Sequence, residues 1–402
     1  MEYSTVEGGQ LLSAGGIIYE AGSLYSRFQE VPDPRKARGK RYELVTLLVL
    51  IFLAKLCGQD RPVEIADWAA NHGQSLAELL GLSRVWMPHH NTIRRVYQDI
   101  LDEEAFDELA QAYAQEAQAT GWEVLALDGK VLRGTGISGV QAHTHLLSLY
   151  ATESQRVLAQ TQVAATENEV SAAPRVLEKV NLDGQVVTGD ALLAQKKLSS
   201  QILAQKGAYL WPIKANHPGV LAALETLFAI PQTRPKPGFG QVRTDFQSSR
   251  KVNKGHGRLE IRTLTASGML NTHLEWPGVA QVYRLEREFR WLRQDQVLRT
   301  SHQTEYGLTS LAASQASPAR LLQLRRQHWR IETGLHYRRD VTFQEDATRA
   351  TKGAAGRILA TIHNLVLALI KQAGFTNAAK ARRWFAGHLP QAFALLTSTS
   401  RL

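Results

Sequence analysis

From Leu44 to Cys57 nearly every residue is apolar, and Lys55 is the one charge in the run. Such a stretch is too short to span a bilayer and predicts a helix buried on all sides. The basic segment VPDPRKARGKRYEL leads into it. After Pro62, apolar positions return at helical spacing (Ile65, Trp68, Ala69). Asn91, following the break at Pro88, His89 and His90, predicts a capped helix over 92–100 with Arg94 and Arg95 exposed. An Ala-rich amphipathic pattern continues over 102–119. Residues 23–119 therefore read as an all-helical domain, preceded by a loosely ordered Gly- and Ser-rich segment, 1–22.

The period changes at Trp122. Val124 to Leu127 is apolar without alternation, the pattern of a central strand, and Asp128 closes it. THLLSLYATE and RVLAQTQVAA flank Ser154 and Gln155 as an antiparallel hairpin. A helix over 172–180, a strand over 185–188, a helix over 191–205 and a strand over 209–214 follow. Three strands, then helix, strand, helix, strand is the order of a ribonuclease-H-like fold, here over 120–215. Short β-rich runs (QVRTDF, RLEIRTLTA, AQVYRLERE, TEYGLTSL) predict an insertion over 216–312. The core then resumes over 313–402. Ser317 as N-cap and Pro318 at the first position start a helix reaching about Arg339, and an apolar helix (358–370) and a basic one (Lys380, Arg382, Arg383, Trp384) follow. The expected class is α/β: a ribonuclease-H-like core interrupted by a β-rich insertion and preceded by a helical domain.

Composition narrows the function classes. At 402 residues, 44% of them hydrophobic, the chain can fill several cores. Lys and Arg exceed Asp and Glu by 47 − 37 = 10, which suits a polyanionic partner about as well as it suits a merely basic protein. A single Cys57 excludes an internal disulfide, no Cys/His cluster has zinc spacing, and MEYSTVEGGQ lacks a signal-peptide layout. These features point to a reduced compartment, the cytoplasm.

Three carboxylates stand out. Asp128 and Asp190 each follow a predicted strand, and the hairpin, helix and strand between them would set those strands side by side. Oxygen ligands so placed suit magnesium, and a two-metal site needs only a few of them. Either Asp alone reads better as a turn residue or cap; the pair does not. Glu332 shares a helical stripe with Arg325, His328, His336 and Arg339, which reads as a metal and phosphate surface or as a solvated face with ion pairs.

Several longer motifs add a family resemblance: DPRKARGKRYEL, PHHNTIRRVY, ALDGKVLRG, VLAQTQV, VVTGDALLAQ, YLWPIKANHP, HGRLEIR, YGLTSL and HWRIETGLHYRRDVTFQEDATR. Through them the chain resembles the DDE transposases of bacterial insertion sequences, the ISAs-type, H-repeat-associated group, over nearly its whole length. The resemblance implies that Asp128, Asp190 and Glu332 bind metal, two Mg²⁺ for which Mn²⁺ can substitute, and Glu169 reads equally as an accessory ligand or as a loop acid. It implies hydrolysis of a DNA phosphodiester and attack of the freed 3′-hydroxyl on target DNA. It also implies a homodimer joining two double-stranded transposon ends in a synaptic complex, in the bacterial cytoplasm and on the nucleoid when DNA is bound, with no membrane association. Candidate DNA contacts are Lys130, Arg133, Lys214, Asn216, Arg325, His328, His336 and Arg339 in the core, and His256, Arg258 and Arg262 on one strand face of the insertion, where Glu260 also lies. In the helical domain they are Arg38, Lys40, Arg41, Arg94 and Arg95. Thr333 stands where the family has Asn, and Thr166–Glu167 where it has a basic residue and a small one. Two other readings are a domesticated DNA-binding protein and a ribonuclease-H-like nuclease without strand transfer.

Overall fold

The computed structural model describes residues 5–6, 10–13, 15–116, 123–230, 245–255, 257–293 and 296–399. The chain forms two compact units, each discontinuous in sequence: 1–119, 129–166 and 332–402 make the first, 120–128 and 167–331 the second.

In the first unit, strands β1 (Thr5–Val6), β2 (Gln10–Leu12) and β3 (Ile18–Glu20) form a small antiparallel sheet. Part of the segment expected to be loose is thus ordered, and Tyr19 is buried against Tyr25, the ring centroids 4.9 Å apart. Helices α1 (Leu24–Glu30), α2 (Leu44–Leu56), α3 (Pro62–Asn71), α4 (Gly73–Leu79), α5 (His90–Arg95) and α6 (Glu103–Glu116) follow. The apolar run becomes α2, buried on every side as its pattern requires and packed against α1, α3 and the C-terminal helices α11 (Ala355–Gln372), α12 (Ala378–Ala386) and α13 (Leu389–Thr397). Even Lys55 is fully buried, its ammonium 3.0 Å from His363 Nε2 and 3.3 Å from the Asp60 carbonyl oxygen. Burial pushes its pKa down to about 8.

Polar groups also tie α6 to α11 and to the hairpin of β5 (Thr144–Ala151) and β6 (Arg156–Val163). Buried Asp107 accepts from Arg357 Nε and Gln160 Nε2, each at 2.8 Å, and from Thr361 Oγ1, while Asn364 Nδ2 donates to Gln160 Oε1 at 3.1 Å. A charge buried this deeply survives only when its hydrogen bonds are satisfied.

The second unit holds a large mixed sheet in which the first part of β4 (Val124–Leu132, of which 124–128 belong to this unit), β7 (Val186–Thr188), β8 (Ala208–Ile213), β12 (Gln296–Thr309), β11 (Gln281–Arg293), β10 (Arg258–Ser267) and β9 (Gln247–Gly255) lie in that order. The β4, β7 and β8 pairings are parallel, and the remainder antiparallel. Helices α7 (Glu169–Glu178), α8 (Lys196–Ala204), α9 (Pro218–Phe228) and α10 (Pro318–His328) complete the unit. Strand β12 joins β8 directly, Leu308 opposite Trp211, so the β-rich segment extends the sheet. Gly307 permits this approach, since a Cβ there would lie 2.3 Å from the Trp211 carbonyl oxygen and 2.3 Å from Tyr283 Oη.

Several local expectations shift. His89, not Asn91, caps α5, its Nδ1 accepting from the Asn91 N–H at 3.3 Å. The helix expected over 191–205 begins only at Lys196, because Asp190 Oδ1 binds the N–H groups of Leu192 and Leu193 and holds a turn there. Helix α9 occupies the start of the segment read as β-rich, and QVRTDF lies mostly outside the described residues. Among the described residues no helix is long and apolar enough to cross a membrane.

Candidate active site

Parallel pairing of β4 with β7 matches Val124 to Val186 and Ala126 to Thr188. Asp128 and Asp190 each stand two residues beyond that last pair, Asp190 past the end of β7; paired strands run about 4.8 Å apart. Strand β4 does not stop at Asp128 as expected but runs on to Leu132; what ends near Asp128 is its pairing with β7. Asp190 is exposed, and the two N–H groups on Oδ1, at 2.9 and 3.1 Å, fix its carboxylate. It is therefore a turn-forming residue as well as a strand-end acid.

Beneath these acids Thr188 is fully buried, its Oγ1 3.2 Å from His328 Nδ1 and 3.5 Å from the Leu125 carbonyl oxygen. Burial and then Arg325 push His328 down to about 4, against the pull of Asp128 and Glu305. A neutral imidazole thus hydrogen-bonds the strand end that carries the acids. Sequence reasoning missed Thr188, although its place two residues before Asp190 on an apolar strand was a readable signal.

Glu332 belongs to the first unit. The helix over 317–339 is not regular: α10 ends at His328, and two π-helical stretches follow, Glu332–His336 and Arg338–Thr342. Such wide turns are frequent at functional sites. Glu332 is exposed, and it and buried His336 present potential ligand atoms within 4.8 Å of one another. Gly334 lies between them, where a Cβ would meet Tyr150 Oη at 2.6 Å.

The rest of the stripe is buried. Arg325 is buried, with Nε and Nη2 on the Glu305 carboxylate at 2.7 and 3.1 Å. Burial opposes ionisation of Glu305, but Arg325 and Arg287 hold its carboxyl below the usual range. Arg339 is fully buried against Glu345, Nε–Oε2 2.5 Å. Lys130 is likewise buried, its ammonium 2.6 and 2.7 Å from the Asp340 oxygens. These cations face protein carboxylates because burial without a counter-charge would cost several kcal/mol.

Other candidates are accessible. Arg38, Lys40, Arg41, Arg94, Arg95, Lys214 and Asn216 are exposed, and Asn216 also donates to the Ala191 carbonyl oxygen at 2.6 Å. Arg133 is exposed beside Asp346 at 3.8 Å. Arg258 lies over the Phe289 ring, and Arg262 pairs with Glu260 at 2.5 Å. Glu169 is the first residue of α7, behind its N-cap Asn168. His256 lies outside the described residues.

Comparison with known proteins adds independent findings. Residues 120–369 match the family described as "Transposase DDE domain", and residues 25–114 the one described as "DDE_Tnp_1-associated". "Putative transposase YncI" of Escherichia coli O157:H7 is 28% identical over 355 residues, covering 87% of each chain. The protein of the same name from strain K12 is 30% identical over 242 residues, 60% of this chain and 94% of its own. "H repeat-associated putative transposase YhhI" of strain K12 is 25% identical over 357 residues, 87% of this chain and 91% of its own. Among solved structures, a piggyBac transposase synaptic complex with hairpin DNA shows a weak likeness: TM-score 0.42 and 11% identity, over 93% of this chain and 77% of that one.

Proposed function

Because the chain belongs to the family of DDE-domain transposases, we propose that it cuts DNA at the terminal inverted repeats of an insertion sequence and joins the freed 3′ ends to target DNA. The parallel pairing of β4 with β7, which leaves Asp128 and Asp190 each two residues past the Ala126–Thr188 pair, carries this reading. Carboxylate oxygens are the hard donors that Mg²⁺ takes, so the donor set fits a divalent ion, with Glu332 as third ligand and Glu169 or His336 as accessory ones. A bound divalent cation would neutralise the charge that develops on the phosphoryl oxygens during in-line displacement.

The chain's own groups have separate tasks. Asp190, clamped by two backbone N–H groups, offers a carboxylate of fixed orientation. Thr188 and His328 brace the strand end that carries it, and such supporting hydrogen bonds orient ligands. Exposed Lys214 and Arg133 hold the scissile backbone, while Arg38, Lys40, Arg41, Arg94 and Arg95 engage the transposon ends. A ribonuclease-H-like core fits the chain order β4, β5, β6, α7, β7, α8, β8. A homodimer bridging two ends is the assembly this chemistry calls for.

A nicking assay on DNA carrying the element's own inverted repeats tests the proposal. Cleavage should require Mg²⁺ or Mn²⁺ and vanish in Asp128→Ala while end binding survives. Binding without nicking in either metal refutes the enzyme; nicking without joined product refutes strand transfer.

A further inference from the structure

A cavity of about 270 Å³ lies among β10, β11 and the end of α10, within the second unit. Arg258 and Arg262 of β10, Arg287 of β11, and Arg325 and Arg326 of α10 line it, with Glu260 the one carboxylate among them. Sheet pairing sets Arg262 directly opposite Arg287, and like charges so placed repel. Glu260 answers Arg262 at 2.5 Å, and Glu305 answers Arg325 at 2.7 Å and Arg287 at 3.5 Å. Two carboxylates against five guanidiniums leave an excess of 5 − 2 = 3 positive charges. Burial, with Arg326 and Arg287 adding to it against the pull of Glu260, depresses the Arg262 pKa.

Among these lining residues Arg258 and Arg326 are exposed, so their guanidiniums are open to an incoming anion. Arginine forks match phosphate oxygens in pairs.

We propose that this cavity binds a compact phosphate-bearing group, a pyrophosphate-sized anion or the phosphorylated end of a DNA strand. Its volume is below that of common ligand sites, which excludes a duplex and admits about one such group. The inference does not depend on the strand-cleavage reading, because Asp128, Asp190 and Glu332 are not among the lining residues.

Titration calorimetry on the full chain in EDTA, which silences metal-dependent chemistry, provides the test. Inorganic pyrophosphate should bind saturably, one per chain. Arg326→Ala and Arg258→Ala, both at exposed lining residues, should each weaken binding about tenfold or more. Circular dichroism confirms that both variants fold. If a short single strand with a 5′-phosphate displaces pyrophosphate and the unphosphorylated strand does not, the ligand is a DNA end. If neither strand displaces it, the ligand is a free anion. Absence of saturable pyrophosphate binding, or binding indifferent to both substitutions, overturns the proposal.

Discussion

His363 puts a measurable pH dependence into the first unit. Its Nε2 accepts from the Lys55 ammonium at 3.0 Å, and its Nδ1 lies 3.8 Å from Glu345 Oε1, so the imidazole sits neutral with its proton on Nδ1. A second proton, on Nε2, would face the ammonium. Burial and then Lys55 accordingly push its pKa from 6.5 down to about 4, against Glu345 and Asp60. The folded value lies below the unfolded one, so between those limits the unfolded chain takes up a proton that the folded chain refuses. Stability contributed by His363 is thus complete above pH 6.5 and lost as pH falls toward 4. Each pH unit is worth about 1.4 kcal/mol, or roughly 2.7 kcal/mol between pH 6.5 and 4.5. Urea unfolding of wild type and His363→Gln at pH 7.5, 6.5, 5.5 and 4.5 reads this slope. The variant should be less stable at pH 7.5 yet lose about 1.4 kcal/mol less per unit below 6.5. His328 titrates alike in both proteins and cancels. Parallel slopes would refute the assignment.

Other substitutions probe the remaining contacts. Glu305→Gln should cost about 3–5 kcal/mol, because Arg325 and Arg287 lose a buried counter-charge; a fall in melting temperature measures it. Gly334→Ala, whose Cβ would meet Tyr150 Oη at 2.6 Å, should cost about 1–3 kcal/mol and slow nicking. Tyr150→Phe in the same chain should recover part of both. Thr188→Val leaves His328 Nδ1 without its 3.2 Å partner. Nicking should fall while gel-shift affinity for the ends holds, and loss of both together would show general unfolding.

Local pattern made much of the fold legible. The run at Leu44 is buried as α2, Ser317 caps α10 through the Arg320 N–H at 3.4 Å, and the β5–β6 hairpin forms from the two runs that flank Ser154 and Gln155. Asp128 and Asp190 were readable as a pair because strand order is a short-range property, and β4 and β7 do pair in parallel just before them. Partners distant in sequence were not readable. That Arg325 is consumed by Glu305, Lys130 by Asp340 and Arg339 by Glu345 depends on strands and turns whose placement no helical stripe encodes. The stripe through Arg325, His328, His336 and Arg339 looked like a surface because its spacing is that of one helix face; tertiary packing buried that face. Continuity of β12 with β8 was hidden likewise, since only Gly307 hints at so close an approach.

The chain changes unit after residues 119, 128, 166 and 331. Neither unit can therefore be excised as one continuous fragment, and dissection of this protein by truncation will yield partial cores. Synthesis on the ribosome meets the same constraint. Helix α2 emerges early, but α11, α12 and α13, which cover it, are translated long after it. Until then its apolar surface must be shielded by other means. Glu332, the proposed third ligand, opens the last segment of the first unit and is made only with it. On the proposed function, competence to cut would therefore await completion of the first unit, and a product terminated before Glu332 would carry the exposed basic residues of the N-terminal helices without the proposed third ligand.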